Sequence, residues 1–153
     1  MKFNKFAFAI AFVFTAVLFA EVALHADEAD QSTKLTFNRP IEIPGQVLPA
    51  GTYEFKLADP NDLNVVRIFN ADGTRLYATL QTISTERRDP AGDTILIMAE
   101  PEEGSGRPVA LVKWFYPGET TGHEFMYSRQ EEQQLAQDRQ QTIVANETAE
   151  AGD

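Results

Sequence analysis

The sequence predicts an all-β fold, a single antiparallel β-sandwich or small barrel of about eight short strands, with a leader before it and a short helix after it. Three observations lead there. Extended, β-rich runs recur at intervals of about ten residues, clusters of Gly, Pro, Asn and Asp separate them, and no helical repeat lies between. The 153 residues suit one domain, and a chain that is 43% hydrophobic and 10% aromatic carries enough apolar side chain for one core.

The first element is not part of that fold. Lys2 and Lys5 give a positive start, Phe6 to Ala20 is apolar apart from Thr15, and the small residues Ala23 and Ala26 follow Glu21. This layout predicts a signal peptide over residues 1–26, cleaved after Ala26; a cut after Ala23 would put Glu21 at the position three back. The apolar run falls short of the roughly 20 residues that a span requires. The mature chain is then expected to begin at Asp27, in the periplasm or outside a bacterial cell, with no stable membrane insertion.

There is no Cys, so neither a lipid-modified cysteine nor a disulfide is on offer, and stability has to come from packing. The chain has 13 basic and 23 acidic residues, a net charge of −10, and becomes more acidic once Lys2, Lys5 and Glu21 leave. Such a surface repels phosphate backbones and anionic lipid, which argues against nucleic acid as a partner.

Residues 27–33 read as a loose polar arm, and residues 34–127 as the β domain. Lys34 to Asn38 alternates, Ile41-Glu42-Ile43 is a brief extended piece, and Pro44-Gly45 turns the chain. Pro49-Ala50-Gly51 is a tight turn into a strand with Tyr53, Phe55 and Leu57 inward and Thr52, Glu54 and Lys56 outward. Asp59-Pro60-Asn61-Asp62 is a turn that lacks the ligand spacing of a calcium loop. A hairpin joins Val65–Asn70 to Thr74–Thr82 through Gly73, with Leu76, Ala78 and Leu80 assigned to one face.

Arg87 to Asp93 is a loop whose adjacent Arg87 and Arg88 offer a point of attraction for an anion or acidic partner, with local pairing to Asp89 and Asp93 the expected arrangement. Thr94 to Ala99 is apolar on both faces, hence a central strand. So is Val109 to Tyr116, where strict alternation puts Ala110, Val112, Trp114 and Tyr116 on one face and Val109, Leu111 and Phe115 on the other. A loop at Pro117 to Gly122 then leads into His123 to Tyr127. Ser128-Arg129-Gln130-Glu131 matches a capping box, predicting a polar helix over 128–142 and a disordered tail over 143–153.

Reactive groups are few. Once the leader is gone, His123 is the only histidine, and as strand neighbours His123 and Glu124 point to opposite faces. A hydrolase would need His123 with a distant Ser or acid, and Ser105 sits in a Gly-rich loop without a nucleophile elbow. One histidine and scattered carboxylates give no metal-ligand spacing, so neither metal nor cofactor is expected. The aromatic strands suggest a binding surface instead. Trp114, Tyr116, His123, Glu124 and Tyr127 are the candidate ligand-binding residues, with carbohydrate stacking on exposed rings as one form of it and packing in the core as the alternative.

The leader, Leu48-Pro49-Ala50-Gly51-Thr52-Tyr53, Trp114-Phe115-Tyr116-Pro117-Gly118 and Gly122-His123-Glu124-Phe125-Met126-Tyr127 together resemble a group of small secreted bacterial proteins of unknown function, common in acidobacteria. The resemblance covers roughly Leu35 to Leu135, including the short helix. It implies an exported, small, mostly-β protein and marks Gly118, Gly122, His123 and Glu124 as part of a shared pattern; no activity comes with it. The expectation is therefore an exported, non-enzymatic domain that binds an unidentified ligand or protein.

Overall fold

The structure is a computed structural model and describes residues 31–145 and 150–151. The predicted signal peptide and the start of the predicted arm lie outside the described residues. The protein is all-β. Its elements are β1 (Thr33–Phe37), β2 (Ile41–Ile43), β3 (Gln46–Leu48), β4 (Gly51–Asp59), β5 (Asp62–Asn70), β6 (Leu76–Glu86), β7 (Thr94–Glu100), β8 (Val109–Phe115), β9 (Thr121–Phe125), the helix α1 (Arg129–Leu135), β10 (Arg139–Ala145) and β11 (Glu150–Ala151).

The strands form one eleven-stranded sheet in the order β10-β7-β8-β9-β6-β5-β4-β1-β11, with β2 joining β8 and β3. It folds into two packed leaves because two segments turn corners. The first part of β6, Leu76 to Gln81, pairs with β5, and its last part, Thr82 to Glu86, pairs with β9. Likewise β1 pairs with β4, and after Pro40 the chain continues as β2 beside β8. The front leaf is thus β11-β1-β4-β5-β6, and the back leaf is β6-β9-β8-β7-β10. The architecture lies between a sandwich and a partly closed barrel, and it is mixed rather than purely antiparallel, since β1–β11 and β2–β8 are parallel pairs.

The core lies between the leaves. Tyr53, Phe55 and Leu57 point inward from β4 as their alternation requires, and Phe55 meets Trp114 of the back leaf edge to face, ring centroids 5.9 Å apart. Gly73 at φ 70° and Gly45 at φ 83° hold turns that any side chain would strain.

Two bulges overturn the strict alternation. Between Ile97 and Met98 the register of β7 against β8 slips, so that Ile97 faces Lys113 while Met98 faces Leu111, leaving Val112 as the extra residue. Leu111 and Trp114 therefore share the inner face, while Val112 is only half-buried. A second slip, where Ile68 faces Ala78 but Phe69 faces Leu76, moves Leu76 off the face it was expected to share with Ala78 and Leu80; it is exposed. Each extra residue reverses the parity of everything beyond it.

Three expected boundaries also change. The capping box forms as predicted, Glu131 N donating to Ser128 Oγ at 3.3 Å and Ser128 N to a Glu131 carboxylate oxygen at 2.9 Å. The helix ends at Leu135, however, well before residue 142. Arg139–Ala145, divided in advance between helix and tail, is β10, paired antiparallel to β7 along its whole length; Glu150–Ala151 of the predicted tail is β11. The β-branched run Thr142-Ile143-Val144 favours a strand, and β7, apolar on both faces, gains the neighbour it needs. Finally, the arm is not loose at its end: Gln31 is buried and Thr33 already belongs to β1.

Candidate binding face

The five residues singled out from sequence do not form a surface. Trp114 has no exposed area and lies in the main core with Phe55, Leu96 and Leu111. Tyr127 is buried too, its hydroxyl donating to Leu111 O at 2.6 Å with Glu42 O 3.1 Å away; burial first, then the nearby Glu42 and Glu131, pushes its pKa far above the ordinary value. Tyr116 is partly buried against the same core. Glu124 points outward, as the strand geometry required, and pairs with Lys113 at 3.4 Å. A sugar-stacking platform built on Trp114 has no exposed ring to offer.

His123 is 2% exposed, its ring against Trp114 with centroids 5.1 Å apart. Nδ1 is 2.9 Å from Leu63 O, an acceptor only, so this nitrogen carries the proton. Nε2 is 2.7 Å from the Gln31 side-chain amide oxygen. Burial is the main influence on His123 and lowers its pKa, which favours the neutral ring; a neutral ring leaves Nε2 as an acceptor and turns the Gln31 amide so that its NH2 donates. Gln31, which makes this contact, has a left-handed backbone, φ 48°. With both nitrogens occupied inside the core, His123 is a packing residue and has no free nitrogen to serve as a general base.

The opposite side of the back leaf is different. Cross-strand pairing sets Ile83, Glu124, Lys113, Ile97 and Thr142 in one row on the outer face. Beside it, Thr85 is opposite Gly122, and Phe115, Ile95 and Val144 line up on the neighbouring strands. A Cβ on Gly122 would collide with the Phe115 ring, so the glycine is what lets the ring lie down on β9. Phe115, Ile95, Ile97 and Ala91 make a small cluster separate from the main core. Ala91 is held over it by Gly118 N donating to Ala91 O at 2.7 Å and Ala91 N to Glu119 O at 3.2 Å. Ile83, Met126 and Val144 are each about half exposed, at 50%, 49% and 58%.

A groove of about 290 Å³ crosses this face from Arg87 and Thr85 over Phe115, Ile95 and Ile97 to Gln140 and Thr142. At its end the Arg87 guanidinium lies over the Phe115 ring, 5.5 Å from the centroid, with Nη1 buried and lacking a hydrogen-bond partner among the described residues. The expected local pairing of Arg87 with Asp89 and Asp93 does not form: among the described residues no carboxylate is within ion-pair distance of Arg87. The chain after Glu86 runs to Thr120, Arg87 N donating to Thr120 O at 2.9 Å, and this directs the side chain onto the sheet.

A larger space, about 730 Å³, lies under the β7–β8 loop and contains Ser105, Arg39, Arg107 and Arg139. Its cations are already matched. Arg107 makes a two-pronged bond to Asp138 at 2.9 and 3.0 Å, which raises the arginine pKa further, and Glu100 pairs with Arg39 at 3.5 Å and Arg139 at 3.4 Å. These bonds tie the loop to the β1–β2 corner and to the start of β10, and the cluster reads as a fastening.

Sequence reasoning therefore missed the small outer-face cluster in which Phe115 and Ile95 are nearly covered and Ile97 is half-buried, and the local pairs it expected of Arg87 do not form among the described residues. The usable signal was Gly122 beside a strand bearing adjacent aromatics, since an interior strand glycine marks a close approach. No family model matches this chain, no curated protein matches it, and no solved structure matches it.

Proposed function

We propose that this is an exported, non-enzymatic β domain that acts by binding, and that its binding surface is the outer face of the back leaf. The observation that carries the proposal is the groove itself: an apolar floor of half-buried Ile97 with the nearly covered Phe115 and Ile95, and at one end a cation, Arg87, that meets no carboxylate among the described residues, in a chain whose net charge is −10. The non-enzymatic part is supported by the absence of cysteine and by His123 having both ring nitrogens engaged in the core. Export is supported by the sequence of residues 1–26, and N-terminal sequencing of the protein from a bacterial host should begin at Asp27.

The test of the surface is a screen of small ligands and peptides against residues 27–153 by backbone amide shifts, repeated with an Ile97→Glu variant that places a charge on the groove floor. Binders should move the amides of Ile95, Ile97, Phe115 and Gln140 and be lost in the variant. Binders that instead map to the Arg107 loop, or turnover of ester or glycoside substrates, would overturn the reading.

A further inference from the structure

We infer that the groove on the outer face takes a small amphiphilic carboxylate, its carboxylate on the Arg87 guanidinium and its apolar body along Ile97 and the narrow exposed edges of Phe115 and Ile95. This rests on the outer face being the binding surface and specifies what that surface recognises.

Size, polarity and charge each narrow the occupant. The groove, about 290 Å³, is at the lower limit of small-ligand sites, roughly 300 Å³, which suits a short acyl or aryl body better than a folded partner. Its floor is apolar, and the edge strand β10 adds Thr142 and Gln140, which are neutral. The two cations along the groove are not equivalent. Lys113 is engaged, with Glu124 at 3.4 Å and Thr85 Oγ1 at 3.5 Å, and so is electrically balanced. Arg87 is half-buried, its guanidinium over the Phe115 ring, and balanced by no carboxylate among the described residues.

A partly desolvated guanidinium without a counter-charge gains from an anion, and its planar fork fits a carboxylate through paired N–H···O bonds. The ring beneath restricts the guanidinium, so less side-chain freedom is lost on binding. Glu86, at the rim beside Arg87, disfavours a multiply charged anion, which leaves a singly charged carboxylate as the fitting class.

The experiment uses residues 27–153 with octanoate, 1-octanol and acetate as probes, read by amide shifts and calorimetry. Octanoate should bind with shifts at Ile95, Ile97, Phe115 and Gln140, and acetate and octanol, each lacking one half of the recognition, should bind more weakly. Arg87→Gln should weaken octanoate about tenfold, the loss expected for charge-assisted bonds, and leave octanol unchanged. Arg87→Lys, keeping the charge without the fork, should fall between, and Arg88→Gln on the exposed neighbour should have no effect. Thermal melts of each variant separate lost binding from lost fold.

If octanoate binds the groove equally well in Arg87→Gln, the carboxylate assignment is overturned while the face remains a binding surface. If octanoate leaves the groove unperturbed but another ligand from the wider screen occupies it, the ligand class alone is wrong. If nothing in either series perturbs these amides, both readings fall.

Discussion

Trp114 and Phe115 are adjacent in the chain and lie on opposite faces of one strand. Trp114 is enclosed between the leaves by Phe55, Leu96 and His123, and its indole N–H meets no acceptor among the described residues. Phe115 lies on the outer face over Gly122, under Arg87, at the edge of a groove. Both rings are covered, Trp114 wholly and Phe115 to 4% exposure, but the Trp is enclosed between the leaves whereas Phe115 is covered from outside by Arg87 and the Ala91 loop and lines the groove. The difference teaches that on a central strand a recognition surface is marked less by the largest ring than by what is left unmatched around a ring, here a glycine below and a cation above.

The largest effect should come from breaking the inner side. Trp114→Ala removes a fully enclosed ring and should cost about 3–5 kcal/mol in chemical denaturation, enough to threaten folding. Gly122→Ala tests the join between the two sides: its methyl group meets the Phe115 ring and should cost about 1–3 kcal/mol. Adding Phe115→Leu should recover part of that loss. A strictly additive double variant would mean that the glycine serves some purpose other than seating the ring.

The pH response sharpens the contrast between buried and exposed polar groups. His123 has its pKa lowered from 6.5 in the folded state, mainly by burial, so the unfolded chain binds the proton more readily. Stability is then full above about pH 6.5 and falls as the pH drops through the folded-state value, because there the unfolded state holds more protons. A denaturation series from pH 7.5 to about 5 should show this decline, and His123→Gln should flatten it. The smallest effect is expected outside: Ile83→Ser on the exposed row should change stability by no more than about 0.5 kcal/mol. A larger loss would show that the outer face is part of the core of the isolated domain.

Much of the architecture was legible locally. Tyr53, Phe55 and Leu57 were placed inward by their alternation, Gly45 and Gly73 by their turns, and Ser128 with Glu131 by the capping pattern, since each signal depends on a few neighbouring residues. The same locality explains why the helix was drawn too long: a polar run after a good cap looks helical until β7 recruits Arg139–Ala145 as its partner.

By itself the sequence determined the fold class, the approximate positions of β1, β2 and β4 to β9 though not of β3, most of the core of β4 to β7, and the start of α1. Only the tertiary structure decided which face each side chain takes beyond a bulge, which strands are neighbours, and that Arg87 ends beside Phe115 rather than beside Asp89 or Asp93. The physical reason is that alternation is a property of one strand, whereas register belongs to a pair. One residue inserted at Val112 or Tyr77 reverses the inside and outside of a strand, and whether it is inserted depends on the partner strand's packing.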